Sequence, residues 1–345
     1  MLNPKTTKKF EGVEFFLANK HIKHIMTRSK SLKSGTLKII LAEPRGFCAG
    51  VDRAIEIVER ALEKFGRPVY VRHEIVHNRH VVNALRNKGA IFVEELSEVP
   101  EDFPVVFSAH GVPKSVINEA KNRKMIQIDA TCPLVKKVHV DAERHKNNGK
   151  VVVLIGHSGH PEVIGTLGQL AEGDIILVEN KEQAETLQIP GTAELSFITQ
   201  TTLSVDDTEE IISVLQTRFP RIQGPRQEDI CYATTNRQAA VKALAKDCDA
   251  LIVIGAPNSS NSNRLAEVGS AKTGMKSILI QEASELEQSW LDGVKTLGVT
   301  AGASAPEILV QELINWLSLR YTVDIETVRT ATEEINFSLP TLLKT

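Results

Sequence analysis

Cys48, Cys132 and Cys231 stand in Pro-Arg-Gly-Phe-Cys-Ala-Gly-Val, Asp-Ala-Thr-Cys-Pro-Leu-Val and Asp-Ile-Cys-Tyr-Ala-Thr-Thr-Asn-Arg, and each opens about eighteen residues of helix-like pattern. A helix N-terminus favours thiolate over thiol. Three soft thiolates without a fourth suit an iron–sulfur cluster or a three-cysteine zinc site. No Cys-x-x-Cys pair and no His-x-x-x-His partner occurs at zinc-finger spacing, which disfavours structural zinc. The ferredoxin-type run is absent too, as expected if each ligand comes from a different part of the molecule. A four-iron cluster held by three cysteines leaves one iron without a protein ligand, and an open metal position can act as a Lewis acid on a substrate oxygen. Cys248, in Lys246-Asp247-Cys248-Asp249, lies far from any helix start and reads as a structural or surface thiol.

A second set of residues describes what such a metal site would act on. His77, His110 and His160, with Thr201, Ser259, Ser260, Asn261 and Ser304, fall in polar loops that end apolar runs. These are neutral donors, and loops of this kind at helix N-termini form anion sites, typically for phosphate, without a Gly-Lys-Ser/Thr motif. His73, His80, His139 and His145 read as ordinary core or surface histidines. Glu162 directly follows His160-Pro161 and is the one carboxylate in these loops placed to serve as a proton donor. Burial raises a carboxyl pKa towards neutrality, which an acid working near pH 7 needs. Gly156-His157-Ser158-Gly159-His160 lacks Gly-x-Gly-x-x-Gly, so a dinucleotide site is a weak reading.

The elements that must position these residues form an internal repeat. Each cysteine helix runs to a Gly or Asp and then to an apolar strand: Val69-Tyr70-Val71, Val151–Ile155 or Ala250–Ile254. His77 lies 29 residues after Cys48, His160 28 after Cys132, and Ser260 29 after Cys231. A further strand in each unit ends in a small polar loop, at Ser108-Ala109-His110, Gln200-Thr201-Thr202 and Gly302-Ala303-Ser304. In open α/β sheets, ligands sit beyond the carboxyl ends of the strands. The expected architecture is therefore α/β, with three pseudo-three-fold-related (trefoil-like) units around a central cavity floored by thiolates. The expected bounds are 37–131, 132–230 and 231–320, with the strand at 37–42 completing the third unit and closing the ring. Residues 321–345 read as a C-terminal tail, and residues 1–36 as a basic, poorly ordered extension of charge +6.

Composition excludes other classes. The formal net charge of −2 argues against nucleic acid or an anionic membrane as the main partner. No stretch approaches the ~20 apolar residues of a membrane span. Four cysteines in 345 residues do not make a disulfide framework, and a reducing cytoplasm fits them.

The cysteine motifs, with His-Glu-Ile-Val-His-Asn, Phe-Ser-Ala-His-Gly-Val, Gly-His-Pro-Glu, Thr-Gln-Thr-Thr-Leu-Ser, Asn-Ser-Ser-Asn-Ser and Thr-Ala-Gly-Ala-Ser-Ala-Pro, resemble the LytB (IspH) family of hydroxymethylbutenyl diphosphate reductases. The resemblance covers roughly residues 37–320, and Glu333-Glu334-Ile335-Asn336-Phe337 is similar to the family's tail. It implies the last step of the methylerythritol phosphate route to isoprenoids, in which an allylic hydroxy-diphosphate loses water and yields isopentenyl and dimethylallyl diphosphates. It implies a [4Fe-4S] cluster on Cys48, Cys132 and Cys231, with the substrate hydroxyl on the iron that lacks a protein ligand. By matching position, His77, His110, Ser259, Ser260, Asn261 and Ser304 would bind the diphosphate, and Glu162 would deliver the proton with His160 and Thr201 beside it. Reduced ferredoxin or flavodoxin would supply electrons. Two other classes remain open on the residues themselves: a three-cysteine zinc hydrolase with Glu162 as base, and a non-enzymatic iron–sulfur sensor.

Overall fold

The computed structural model describes residues 34–189 and 193–344. Most of the basic N-terminal stretch therefore lies outside the described residues. Twelve strands occur among them: β1 (Thr36–Glu43), β2 (Val69–Arg72), β3 (Ala90–Val93), β4 (Pro104–Phe107), β5 (Ile126–Asp129), β6 (Val151–Ile155), β7 (Ile175–Val178), β8 (Leu195–Thr199), β9 (Ala250–Ile254), β10 (Lys276–Ile280), β11 (Thr296–Ala301) and β12 (Thr322–Arg329). They form three parallel sheets, ordered β3-β2-β4-β5, β7-β6-β8 and β10-β9-β11-β1-β12. Parallel strands carrying continuous apolar runs need cover on both faces. Accordingly β9, Ala-Leu-Ile-Val-Ile, is buried at every position, and its side chains divide between two separate apolar cores.

The three sheets share one plan. The strand that follows the cysteine helix lies second, flanked on one side by the next strand and on the other by the third. The fourth position feeds the next cysteine. β5 occupies it in the first unit and runs into Cys132. In the second unit a single parallel bridge, Ser196 to Gln223, marks it on the way to Cys231. In the third unit β1 occupies it, paired with β11, and runs into Cys48.

Residues 321–345 do more than trail. β12 pairs with β1 along all eight of its residues, and beyond it Leu339 and Leu343 pack into the core of the first unit. The reading of this segment as a tail missed the strand because it is an edge: most of Thr-Val-Asp-Ile-Glu-Thr-Val-Arg is exposed, so little apolar alternation betrays it. No described helix is long and apolar enough to cross a membrane.

Candidate active site

Each cysteine is the N-cap of its helix, in extended backbone, just before Ala49–Phe65, Pro133–Asn147 or Tyr232–Leu244. Each is pinned by its own amide to the loop that follows the third strand of its sheet. Cys48 N–H donates to Ala303 O (3.3 Å), Cys132 to Ala109 O (2.9 Å) and Cys231 to Thr201 O (3.0 Å). The three sulfurs line one cavity of about 100 Å³. Gly50 is required by this approach, since a Cβ there would stand 2.7 Å from Cys132 Sγ. A larger open cleft of about 300 Å³, lined by Asn78, Arg79, His80 and Glu282, contains none of the cysteines.

Burial dominates the electrostatics of the thiols. It pushes Cys132 up to about 12, reinforced by the neighbouring Cys48, and Cys231 up to about 11. Cys48 is raised as well, although the first-turn N–H groups of Val51 and Gly50 oppose the shift. Three such thiols hold their protons until a cation replaces them. Among the described residues, no three His, Cys, Asp or Glu side chains converge on a single ion. Three thiols lining one cavity are a soft donor set, which fits an iron–sulfur group. Cys248 stands apart, at the far end of the Cys231 helix among the apolar side chains of the third unit.

The polar loops line the same cavity, and the structure brings every proposed site residue to it: His77, His110, His160, Glu162, Thr201, Ser259, Ser260, Asn261 and Ser304. They arrive there because corresponding loops cap the short helix after the first strand of each unit. Asn78, His160 and Ser259 are its N-caps, each accepting a first-turn N–H through its side chain. For His160 the donor is Glu162 N (3.1 Å to Nδ1), which leaves Nε2 as the protonated nitrogen. The His77 and His110 rings stack at 4.1 Å, with His160 edge-on to both at about 6 Å. Burial lowers His160 to about 3, and burial with the other two rings drops His110 well below its ordinary value. His110 and His160 are therefore neutral donors across the physiological range. Asn261 is buried with neither amide atom paired, and His77 Nε2 is likewise unpaired. An unmet buried polar group costs about 1–3 kcal/mol, so these atoms signal a ligand that hydrogen-bonds here, with Asn261 Nδ2 calling for an acceptor.

Glu162 is buried, and both of its hydrogen bonds enter one oxygen: Thr201 N at 3.1 Å and Thr201 Oγ1 at 2.9 Å meet Oε2. Burial raises its pKa, against the opposing effect of those two donors.

Sequence reasoning missed the residues that hold these in place. Gln200 Nε2 donates to Thr202 Oγ1 (2.8 Å) and Ser260 Oγ (3.3 Å), linking the second and third units. Glu74 anchors His77 Nδ1 (3.4 Å) and accepts from Asn258 Nδ2 (3.0 Å). Arg237 is fully buried and pairs with Glu333 at 2.9 Å. Adjacency to quoted motifs was the available signal for Gln200, Glu74 and Arg237, and nothing local marked the pairing with Glu333.

The likeness to known proteins spans the same ground. The chain is 58% identical over 308 residues to a protein of Roseobacter denitrificans named 4-hydroxy-3-methylbut-2-enyl diphosphate reductase, covering 89% of this chain and 98% of that one. A protein of the same name from Hyphomonas neptunium is 61% identical over 307 residues, covering 89% and 98%. Among solved structures, the E-1-hydroxy-2-methyl-but-2-enyl-4-diphosphate reductase of Plasmodium falciparum superposes with a TM-score of 0.86 at 38% identity, covering 89% of this chain and 97% of that one. The three cysteine loops and the donor wall all fall within residues 39–318, which match the family described as LytB protein, and the chain belongs to that family.

Proposed function

We propose that this protein is a 4-hydroxy-3-methylbut-2-enyl diphosphate reductase, converting (E)-4-hydroxy-3-methylbut-2-enyl diphosphate to isopentenyl and dimethylallyl diphosphates. The observation that carries the reading is a single cavity lined by three part-buried thiols, a buried carboxyl, three histidines and an unpaired Asn261. Cys48, Cys132 and Cys231 would hold a [4Fe-4S] cluster, which when bound supplies electrons one at a time and an open Lewis-acidic position. N–H and O–H groups of His77, His110, Ser259, Ser260, Asn261 and Ser304 would hold the diphosphate. Its oxygens would accept from Asn261 Nδ2, and holding the diphosphate there would orient the reacting carbon in the cavity that the thiols also line.

The reaction breaks the allylic C–O bond, takes up two electrons and two protons, and releases water. Glu162, whose pKa burial raises, would give a proton to the departing hydroxyl, and the Thr201 donors would then stabilise the carboxylate left behind. Closure of the loops on the diphosphate would keep bulk water from the allylic centre. A reduced ferredoxin or flavodoxin of the cytoplasm is the proposed electron source.

Anaerobically purified chain is expected to contain about four iron and four sulfide per polypeptide, to absorb visible light, and to turn over the hydroxy-diphosphate with a chemical reductant. One zinc per chain, with neither iron nor sulfide, would overturn the reading.

A further inference from the structure

Three cations, one on each cysteine helix, reach across to the loop that precedes the next cysteine. Arg53, five residues after Cys48, donates to Thr131 O (3.0 Å) and Ala130 O (3.3 Å), immediately before Cys132. Lys137, five residues after Cys132, donates to Gln227 O (2.6 Å), Glu228 O (3.3 Å) and the Asp229 carboxylate (2.7 Å), just before Cys231. Arg237, six residues after Cys231, donates to Gly46 O (2.7 Å) and Phe47 O (3.3 Å), just before Cys48. The circuit closes: the first helix holds the second loop, the second holds the third, and the third holds the first. Gly46 has φ +69, the left-handed region that favours glycine.

We infer that Arg53, Lys137 and Arg237 form a cyclic clamp whose role is to hold the three cysteine loops at the mutual spacing needed to capture and retain the metal group. This rests on the cluster reading of the preceding section. The partners are chiefly backbone carbonyls of the residues next to each cysteine, so the clamp fixes where the sulfurs start and leaves the thiols themselves uncontacted. Because each loop is held by a different unit, slack in one link spreads the thiols apart without unfolding any sheet. None of the three touches the polar loops that would take the substrate, so they are positioning residues. The links differ in build. Arg237 is fully buried and balanced by Glu333, whereas Lys137 is balanced by a buried Asp229. Arg53 uses carbonyls for every hydrogen bond found among the described residues, with Ser338 O of the C-terminal segment as a third acceptor (2.8 Å). It therefore holds both the Cys132 loop and the strap that passes over it.

The test uses Arg53→Met and Lys137→Met, which sit on part-exposed side chains and keep the aliphatic stem, with Arg53→Lys and Lys137→Arg as conservative controls. Full-length proteins are reconstituted anaerobically with iron and sulfide and then exposed to a chelator, and decay of the visible absorption is followed alongside iron content. Outer partners of metal ligands typically set 10–100-fold in affinity. Both Met variants are expected to lose iron about 10–100-fold faster than wild type, and the conservative variants to fall closer to wild type. Thermal unfolding of the metal-free chains separates positioning from folding, because the Met variants are expected to melt close to wild type. Iron retention equal to wild type in both Met variants overturns the clamp, as does a loss of iron matched by collapse of the metal-free fold. A wild-type chain that takes up no iron and sulfide overturns the cluster reading and, with it, the clamp.

Discussion

The proposed chemistry of the cavity turns on Glu162. His160 is an alternative proton source by position, but at a pKa of about 3 it carries no spare proton near neutrality. Glu162 is raised instead, by burial. General acid catalysis typically contributes 10²–10⁴-fold. Glu162→Gln is expected to keep the cluster and substrate binding while turnover falls by roughly two or more orders of magnitude, measured as kcat at saturating substrate. Near-normal kcat would remove the proton-donor role. The same residue links stability to pH. A carboxyl raised in the folded state costs nothing below its ordinary value of 4.5, where it is protonated in both states. As pH rises through the raised value, the fold must hold a desolvated charge, and stability is lost. Glu162→Gln removes that loss and keeps an acceptor for Thr201. The metal-free variant is therefore expected to match wild type near pH 4.5 and to melt progressively above it as pH rises, by thermal denaturation.

At the level of elements, the three cysteine helices begin alike. An N-cap cysteine makes no side-chain cap, so the first-turn N–H groups remain free to face the sulfur. Cys48→Ser, Cys132→Ser and Cys231→Ser should each abolish stable iron loading, because a serine oxygen is a harder ligand. Cys248→Ser should keep both iron and turnover, since that thiol packs at the opposite end of its helix. Iron and sulfide assays on the four variants distinguish these outcomes. The helices and their loops were legible because the pattern occurs three times: equal spacing from cysteine to polar loop, and a β-branched run between them. The place of β1 beside β11 followed from the same repeat, as the third unit otherwise lacked a fourth strand. What stayed hidden was contact without periodicity. Arg53, Lys137 and Arg237 read as ordinary charges on amphipathic helices, and their partners in the cysteine loops lie 77 to 191 residues away along the chain. Glu333 gave no local sign of partnering a buried arginine.

Considered whole, the molecule is three small α/β units held together at their loops and by one strap. Residues 330–344 run from Glu333, paired to Arg237 of the third cysteine helix, to Leu339 and Leu343 in the core of the first unit, with Lys64 donating to Leu342 O (2.6 Å). Burying one leucine side chain is worth about 1.5–3 kcal/mol. Ending the chain after Thr330 exposes this part of the first core and leaves the Arg237 charge buried without its carboxylate, a loss of about 3–5 kcal/mol by itself. The truncated chain is expected to melt well below the full chain, by about 2–4 °C for each kcal/mol lost, and to shed iron faster. An unchanged melting curve would show that the strap contributes no stability.

The closed order of the units has a consequence for how the protein is made. Cys48 leaves the ribosome first, yet the groups that set its loop are Arg237 and Ala303, the latter 255 residues downstream. At about 5–20 residues per second, that interval is roughly 10–50 s. Throughout it the sheet of the first unit can already stand, with its cysteine loop unsecured and its thiol open to oxidants or stray metals. Metal delivery must therefore wait until synthesis has passed the third unit, and the earliest cysteine to be translated is among the last to reach its place.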